Sequence, residues 1–282
     1  MKSSRNGIWP RVRLHLSGIK ENRYRQLVEQ IFFDPAFGAY RPGTTEIPFA
    51  RPDIERAAAA LRIELPKNIG DVLYAIRYRT PMPRKVVDIQ PEGMEWIIEG
   101  DGRARYKFVL VPINRIVPNR TLAAIKIPDA TPEIIGAYAL NDEQALLAKV
   151  RYNRIIDIFL RITAYSLQSH MRTSVAGIGQ IEIDEVYVGI DRNGVQYVVP
   201  VQAKGGKDQL SVVQTKQDIG CCAEKFPNLV CRTVSAQFMD DDRMAMFELT
   251  VQDGRVCVVD EKHYLLVPAD RIGADELLGY RR

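Results

Sequence analysis

The stretch IGQIEIDEVYVGIDRNGVQYVVPVQAKGGKD, residues Ile178 to Asp208, consists of two apolar segments joined by a short polar one. Val, Ile and Tyr dominate both apolar segments, as in strands that are buried on both faces of a sheet. Between them, Asp191-Arg192-Asn193-Gly194 has the residues of a type I turn, with Asp first and Gly last. Because such a turn usually forms the core of a three-residue hairpin loop, the stretch predicts a central β-hairpin.

Polar side chains interrupt the apolar pattern at one end of this hairpin. Acids lie in the first strand, and a glutamine and a lysine end the second: Glu182, Asp184, Glu185, Gln202 and Lys204. A three-residue loop places Asp184 opposite Gln202 and Glu182 opposite Lys204, and period-two alternation puts these four on one face. A two-residue loop shifts the parity and puts Glu185 with Gln202 instead. The sequence therefore predicts a polar cluster and leaves open which acid completes it.

Carboxylates, an amide oxygen and a lysine at the end of a strand pair suit one chemistry. Oxygen ligands hold Mg²⁺, and the ion polarises a phosphate and lowers the pKa of a bound water. The lysine ammonium steadies the attacking hydroxide or the developing charge. The alternative is a surface hairpin whose acids pair with Lys204, Lys207 or nearby arginines. The apolar residues on both faces argue against that alternative, because buried acids are costly without a compensating cation.

The same run resembles the PD-(D/E)XK nuclease superfamily, to which type II restriction endonucleases belong. EID, an apolar strand, DRNG, a second apolar strand and QAK follow one another here. In that superfamily an acid opens one strand and (D/E)xK closes the next. The resemblance covers roughly residues 140 to 240. It implies Asp184, Gln202, Lys204 and Glu182 as catalytic residues, with Asp184, Gln202 and Glu182 holding Mg²⁺, or Mn²⁺ as a substitute. Gln214 matches a glutamine that the family often has in the next helix.

Two positions depart from the superfamily pattern. Ile183 stands where a proline precedes the first acid, and Gln202 stands where Asp or Glu is usual, so one metal charge is lost. Some branches accept glutamine there, and an inactive relative is the alternative. A second DxK, from Asp260 to Lys262, has only twenty residues after it, too few for the helix and strand that should follow.

Patterns around the hairpin predict the order αβββαβ, which is also the order of the superfamily's core. One long helix, NDEQALLAKVRYNRIIDIFLRI, precedes the strands, and DQLSVVQTKQDIGCCAEKF forms a helix after Lys204. We therefore expect an α+β or α/β chain with a restriction-endonuclease-like αβββαβ core and a central mixed sheet. Prolines between Pro112 and Pro132 mark the boundary between a DNA-binding domain, residues 1–130, and a nuclease domain, residues 131–282.

The N-terminal part predicts a winged-helix-like module. Helical patterns precede MEWIIEGDGRARYKFVLVP, in which two apolar strands flank Gly100-Asp101-Gly102, a hairpin signal. Cations on the last helix and at the hairpin tip are suited to bind DNA phosphates and to enter a groove. These predicted DNA-binding residues are Lys67, Arg77, Arg79, Arg103 and Arg105. The alternative is a solvated basic face on an ordinary α+β domain.

Composition narrows the class of protein. With 282 residues, 46% hydrophobic and 26% charged, the chain is typical of a globular protein, and a net charge of +4 permits a nucleic-acid partner without demanding one. No apolar run approaches the roughly 20 residues of a membrane span, so no membrane association is expected. Four cysteines without CxxC spacing argue against structural zinc and indicate a reduced cytoplasmic protein.

These patterns together predict a sequence-specific DNA endonuclease, either a type II restriction enzyme or a related defence nuclease. Its expected partners are double-stranded DNA and a cognate DNA methyltransferase that acts on the same site, and a homodimer is expected. One alternative is a non-catalytic DNA-binding regulator with a nuclease-like domain. Another is a repair nuclease that selects DNA by its structure.

Overall fold

The described residues form two β-sheets, one of three strands and one of eight. The computed structural model describes residues 22–38, 40–70, 72–73, 75, 81–138, 143–205 and 210–281. Helices are interspersed with the strands along the chain, and the larger sheet contains both parallel and antiparallel pairs. The expected mixed α+β class with a central mixed sheet is therefore confirmed.

The smaller sheet belongs to the N-terminal part of the chain. Its elements are α1 (Arg23–Phe33), β1 (Glu46–Ala50), α2 (Arg51–Leu61), α3 (Arg84–Asp88), β2 (Met94–Gly100) and β3 (Arg105–Pro112). The strand order is β1-β3-β2 and both pairings are antiparallel. The predicted hairpin is thus confirmed as β2–β3. Gly102 in its turn has a φ of 98°, a conformation that glycine adopts without steric cost.

Aromatic packing holds the helices of this part onto its sheet. The Phe32 ring from α1 meets the rings of Trp96 and Phe108 edge-on, with centroids 5.0 and 5.1 Å apart. All three side chains are fully buried. Such edge-to-face pairs add about 0.5–1.5 kcal/mol each beyond the area that they bury.

The larger sheet takes up the rest of the chain. Its elements are β4 (Ala124–Pro128), α4 (Glu133–Tyr138), α5 (Glu143–Tyr152), α6 (Ile155–Leu160), β5 (Thr163–Val175), β6 (Gly179–Ile190), β7 (Gln196–Lys204), α7 (Val212–Lys225), β8 (Val230–Cys231), β9 (Thr233–Phe238), β10 (Met244–Gln252), β11 (Arg255–Val267) and α8 (Ala274–Gly279). The strand order is β4-β11-β10-β9-β7-β6-β5, with β8 also paired to β7. Because β4 precedes residue 130 and pairs with β11, the eight-stranded sheet begins before the predicted domain boundary.

The part of this sheet that matters for the site is β5 to β9. Strands β5, β6 and β7 are antiparallel neighbours, and β9 returns parallel to β7 after α7. Side chains alternate between the two faces. Tyr187 and Val199 pack in the core that contains residues of α5 and α6, whereas Val186 and Val198 pack with cysteines of α7. Helices therefore cover both faces of the central hairpin.

The long helix that the sequence predicts before β5 is broken into α5 and α6. Arg154 between them has a φ of 50°, in the left-handed region. The buried Asn153 side chain donates to the carbonyl of Lys149 at 3.0 Å and accepts from the N–H of Ala130 at 2.7 Å. Asparagine side chains compete in this way with helical backbone hydrogen bonds. The prediction of one continuous helix is wrong for this reason.

Candidate functional site

The candidate site lies where β6 and β7 separate. Their antiparallel pairing extends as far as Glu185 and Val201. One step further in the same register Asp184 stands opposite Gln202, as the three-residue loop predicts, so the two-residue alternative is wrong. At this point Asp184 Oδ2 accepts a hydrogen bond of 2.8 Å from the backbone N–H of Ala203.

Contacts within the turn set this register. Asp191 Oδ1 accepts hydrogen bonds from the backbone N–H groups of Asn193 and Val195 at 2.8 and 2.9 Å. Gly194 has a φ of 84°, which costs a glycine little. The parity that brings Asp184 and Gln202 opposite each other therefore originates in local turn chemistry.

Gln202 is buried and connects β7 to α7. Its Nε2 lies 3.0 and 3.2 Å from the two carboxylate oxygens of Asp218, and 3.3 Å from the backbone oxygen of Glu182. Its Oε1 is buried and has no hydrogen-bond partner in the part of the chain that the structure describes. A buried amide oxygen left in this way costs free energy unless a ligand or an ion satisfies it.

Asp218 is the residue of this site that the sequence patterns did not identify. It lies on the buried side of α7, together with Gln214, Cys221 and Cys222. Ser211 caps this helix by accepting from the N–H of Gln214 at 3.3 Å. A signal existed in the sequence, because Asp218 precedes Cys221 and Cys222 at helical spacing, and an acid on the buried side of a helix is unusual. Gln214, the predicted family glutamine, is buried on the first turn of α7, and its Oε1 contacts no hydrogen-bond donor of the described residues.

Burial raises the pKa of both carboxyl groups at this site. For Asp184, loss of hydration outweighs the hydrogen bond from Ala203 and the charge of Lys204, which act in the opposite direction. For Asp218, loss of hydration raises the pKa well above its usual range; the Gln202 hydrogen bond opposes this and the Asp184 charge adds to it. Desolvated neighbouring acids of this kind are stabilised when a cation binds between them.

Lys204 ends β7 and is only partly exposed. Its positive charge opposes the rise in pKa that burial causes at Asp184 and Asp218. Among the residues that the structure describes, Lys204 forms no ion pair, and its charge remains available to an anionic ligand.

The Glu182 carboxylate is directed away from Gln202. Its Oε2 lies 3.2 Å from Nε of Arg172, and its Oε1 lies 3.3 Å from Nδ1 of His170. Both partners are in β5. The backbone oxygen of Glu182 therefore contacts Gln202. The Glu182 side chain, which the resemblance implies as a metal ligand, contacts Arg172 and His170 instead.

An irregularity in β5 and β6 explains this orientation. Ile181, Ile183 and Val186 all pack in the cluster against α7, which strict alternation along β6 does not allow. Opposite Asp184, His170 has a φ of 48°, a strained conformation for a residue other than glycine. The expectation that Glu182 shares one face with Asp184, Gln202 and Lys204 is wrong because the alternation is interrupted there.

Glu185 lies on the face covered by α5. Its side chain is fully buried, and its Oε1 accepts from Nε of Arg151 at 2.8 Å and from Oγ of Ser166 at 2.6 Å. Arg151 and Ser166 also line a cleft of about 220 Å³. Glu185 is thus absent from the Asp184 and Gln202 cluster, as the three-residue loop predicts.

The donor atoms at the site are of the type that a hard cation prefers. Asp184 and Asp218 offer carboxylate oxygens, and Gln202 offers the buried Oε1, which has no partner among the described residues. Mg²⁺ prefers oxygen ligands of this kind. Within the described ranges no three His, Cys, Asp or Glu side chains gather in a group that could hold a metal ion. A metal site here therefore depends on the amide as its third side-chain donor.

The predicted DNA-binding residues lie in the N-terminal part. Lys67, Arg103 and Arg105 are exposed. Arg77 and Arg79 lie outside the described residues. Arg103 lies in the turn, and Arg105 is the first residue of β3. Arg105 Nε donates to the backbone oxygen of Asp101 at 3.1 Å.

The second DxK of the sequence, from Asp260 to Lys262, is exposed and lies away from the candidate site. Lys262 and Asp260 form an exposed pair at 3.6 Å in β11, which is separated from β7 by β9 and β10. Asp157, in α6, pairs with Arg154 and accepts from the N–H of Ala164 at 3.0 Å. Both of these acids are accounted for by structural contacts.

In comparisons with known proteins, no protein-family model, no curated protein and no solved structure matches this chain. In the part of the chain that the structure describes, no helix has the length and apolar character that crossing a membrane requires.

Proposed function

We propose that this chain is a metal-dependent DNA endonuclease that hydrolyses phosphodiester bonds. The observation that carries the proposal is the convergence of two desolvated carboxyl groups with an amide oxygen and a lysine that have no partner among the described residues. These groups are Asp184, Asp218, Gln202 and Lys204. The order around them is α5 and α6, three strands, α7, the short β8 and then β9, and it supports the resemblance to the αβββαβ core of PD-(D/E)XK nucleases.

In this proposal each residue has a distinct role. Asp184, Asp218 and the Oε1 of Gln202 would hold Mg²⁺, or Mn²⁺ in its place. When bound, the ion would supply positive charge for polarising a phosphate and for lowering the pKa of a water. Lys204 stabilises the negative charge that develops on the phosphate during attack. The Ala203 N–H orients the Asp184 carboxylate through its hydrogen bond.

The N-terminal module would bring double-stranded DNA to this site. Exposed Lys67, Arg103 and Arg105 supply cations for phosphate contacts, and the three-stranded sheet with preceding helices supports a winged-helix-like reader. We propose that this reader makes cleavage sequence-specific, as in a type II restriction or defence nuclease. A homodimer and a cognate methyltransferase belong to the same proposal.

Nicking of supercoiled plasmid DNA tests the proposal. The expected result is cleavage that requires Mg²⁺ or Mn²⁺, stops in EDTA, and is lost in the Asp184→Asn variant. Lys262→Ala, which alters the exposed DxK pair, is the matched control and should cleave normally. DNA binding without cleavage under either ion would support the non-catalytic regulator, and cleavage confined to branched or mismatched DNA would support the repair nuclease.

A further inference from the structure

The tip of the β2–β3 hairpin, residues 100–105, is packed against the turn between β5 and β6. We call this hairpin tip the wing. A Cβ atom placed on Gly100 would overlap the backbone oxygen of Ile178. A Cβ on Gly179 would lie 3.2 Å from the backbone oxygen of Gly102. Only glycine permits so close an approach of two backbones, so the wing and the β5–β6 turn are in direct contact.

The same contact extends to α7. The Cδ1 of Ile178 is only 2.6 Å from where a Cβ of Gly220 would lie, so Ile178 sits between the wing and this helix. Lys216 of α7 also faces Glu99 of β2, with Nζ and Oε1 3.9 Å apart. Asp218 of the candidate site lies between these two α7 contacts in sequence. The wing is therefore docked on the helix that carries a site residue.

This docking limits the distance between the wing and the site. Gly179 and Asp184 both belong to β6, five residues apart. An extended strand rises about 3.3 Å per residue, so at most about 17 Å separates them. Phosphates of one DNA strand follow one another at about 3.4 Å along the helix axis, so about five base pairs span the same length.

We propose that the wing and the Asp184 site contact one DNA duplex within about five base pairs of each other. Cleavage then falls at a fixed phosphate close to the wing contact, and not at a distance set by a flexible linker. This inference rests on the proposed function. The exposed Arg103 and Arg105 provide the cations of the wing contact, and Lys204 provides the cation at the site.

Two photocrosslinking variants of the full chain test the DNA path independently of cleavage. A benzophenone amino acid replaces Ala104, which is exposed at the wing, in one variant. In the other it replaces Gly205, which follows Lys204 and where an added Cβ would have no atom of the described residues within 4 Å beyond its chain neighbours. Both variants bind, in EDTA, a duplex selected from a random-sequence pool by binding to the unmodified chain. Crosslink positions are then mapped on each strand.

The expected result is that the two crosslinks lie about five base pairs apart on the same duplex. A separation of more than ten base pairs, which is about one helical turn, would overturn the inference, as would the absence of a crosslink from Ala104. Cut sites are mapped separately with Mg²⁺. Close crosslinks without cleavage would overturn the proposed activity and leave the DNA path supported, so the two failures are distinguishable.

Gly100→Ala tests whether the docking fixes this path. The added methyl group meets the Ile178 backbone, so the wing must shift, and the separation between crosslinks should change or spread over several positions. Gly136→Ala, at a helical glycine with nothing within 4 Å, is the control and should leave the positions unchanged. If circular dichroism shows that Gly100→Ala is unfolded, the Gly220→Ala variant is used in its place. That substitution displaces only the end of the Ile178 side chain. An unchanged separation in the folded variant would contradict the role of the docking.

Discussion

The Nε2 of Gln202 contacts both carboxylate oxygens of Asp218, at 3.0 and 3.2 Å, in the interior between β7 and α7. This contact orients the amide, because Asp218 holds Nε2 and thereby directs Oε1 to a position where no described residue donates to it. Gln202 is therefore held in one of its two amide orientations by an acid from another element. The residue that departs from the superfamily pattern is thus supported by a carboxylate sixteen residues further along the chain.

Asp218→Asn should stabilise the metal-free protein at neutral pH. Because burial raises the Asp218 pKa in the folded state, the folded chain retains this proton more strongly than the unfolded chain. The free energy of unfolding therefore falls as pH rises from the unfolded pKa near 3.8 towards the raised value, by about 1.4 kcal/mol per unit of raised pKa. Thermal melts from pH 3 to 8 measure this, with Asp240→Asn, an exposed acid, as control. A variant less stable than wild type at neutral pH would contradict the prediction.

Gln202→Leu and Gln202→Glu should change metal binding in opposite directions. Leucine removes the only amide oxygen of the donor set, so Mg²⁺ binding measured by calorimetry should be lost. Glutamate adds a charge that hard cations favour, so half-maximal cleavage should need less Mg²⁺. Without metal, Gln202→Glu should be less stable than wild type, because two carboxyl groups then face each other. Nearly unchanged Mg²⁺ binding in the Gln202→Leu variant would show that the Gln202 side chain only packs the interior.

Lys204→Ala should reduce the cleavage rate by several orders of magnitude and leave DNA affinity nearly unchanged. The ammonium acts on charge that develops in the transition state, and only such interactions raise the rate of the chemical step. Single-turnover cleavage and equilibrium binding in EDTA separate the two quantities. Lys262→Ala serves as the control at an exposed lysine of another strand. A Lys204→Ala rate within tenfold of wild type would remove this residue from the mechanism.

Glu185→Gln should cost stability and leave cleavage by the folded protein intact. Glu185 is fully buried against Arg151, whose own side chain is 41% exposed. Losing the charged hydrogen bond should lower the free energy of unfolding by about 1–3 kcal/mol, towards the low end because solvent screens the arginine. Urea denaturation measures the loss, and cleavage is assayed at a temperature where both proteins are folded. Lost cleavage with unchanged stability would place Glu185 in the active site instead.

Arg103→Ala combined with Arg105→Ala should weaken DNA binding in a salt-dependent manner. Each phosphate contact contributes about 0.9 to the slope of log affinity against log salt, so the slope should fall by about 2. Fluorescence anisotropy across a salt series measures it. Arg271→Ala, near β4 at the opposite edge of the larger sheet from β5, is the control. An unchanged slope would show that the wing does not contact phosphates.

Local chemistry within the sequence determined the central hairpin. Asp191 bonds to backbone groups two and four residues later, and Gly194 takes the left-handed conformation, so the turn sets its own register. That register places Asp184 opposite Gln202 and excludes Glu185, all within one short stretch of chain. The β2–β3 hairpin and the mixed α+β class were predictable for the same reason, because turns and apolar periodicity are local signals.

Tertiary structure alone decided which acids accompany Asp184. Asp218 reaches Gln202 only because α7 packs across the face of β7, and the Glu182 carboxylate is engaged instead by Arg172 and His170 of β5. The break after Asn153 depends likewise on Ala130, which is distant in sequence. Strand alternation and turn chemistry act over a few residues, whereas these contacts depend on the free energy of packing whole elements together. The sequence therefore determined the position of the site, and the packing of α7 and β5 determined its composition.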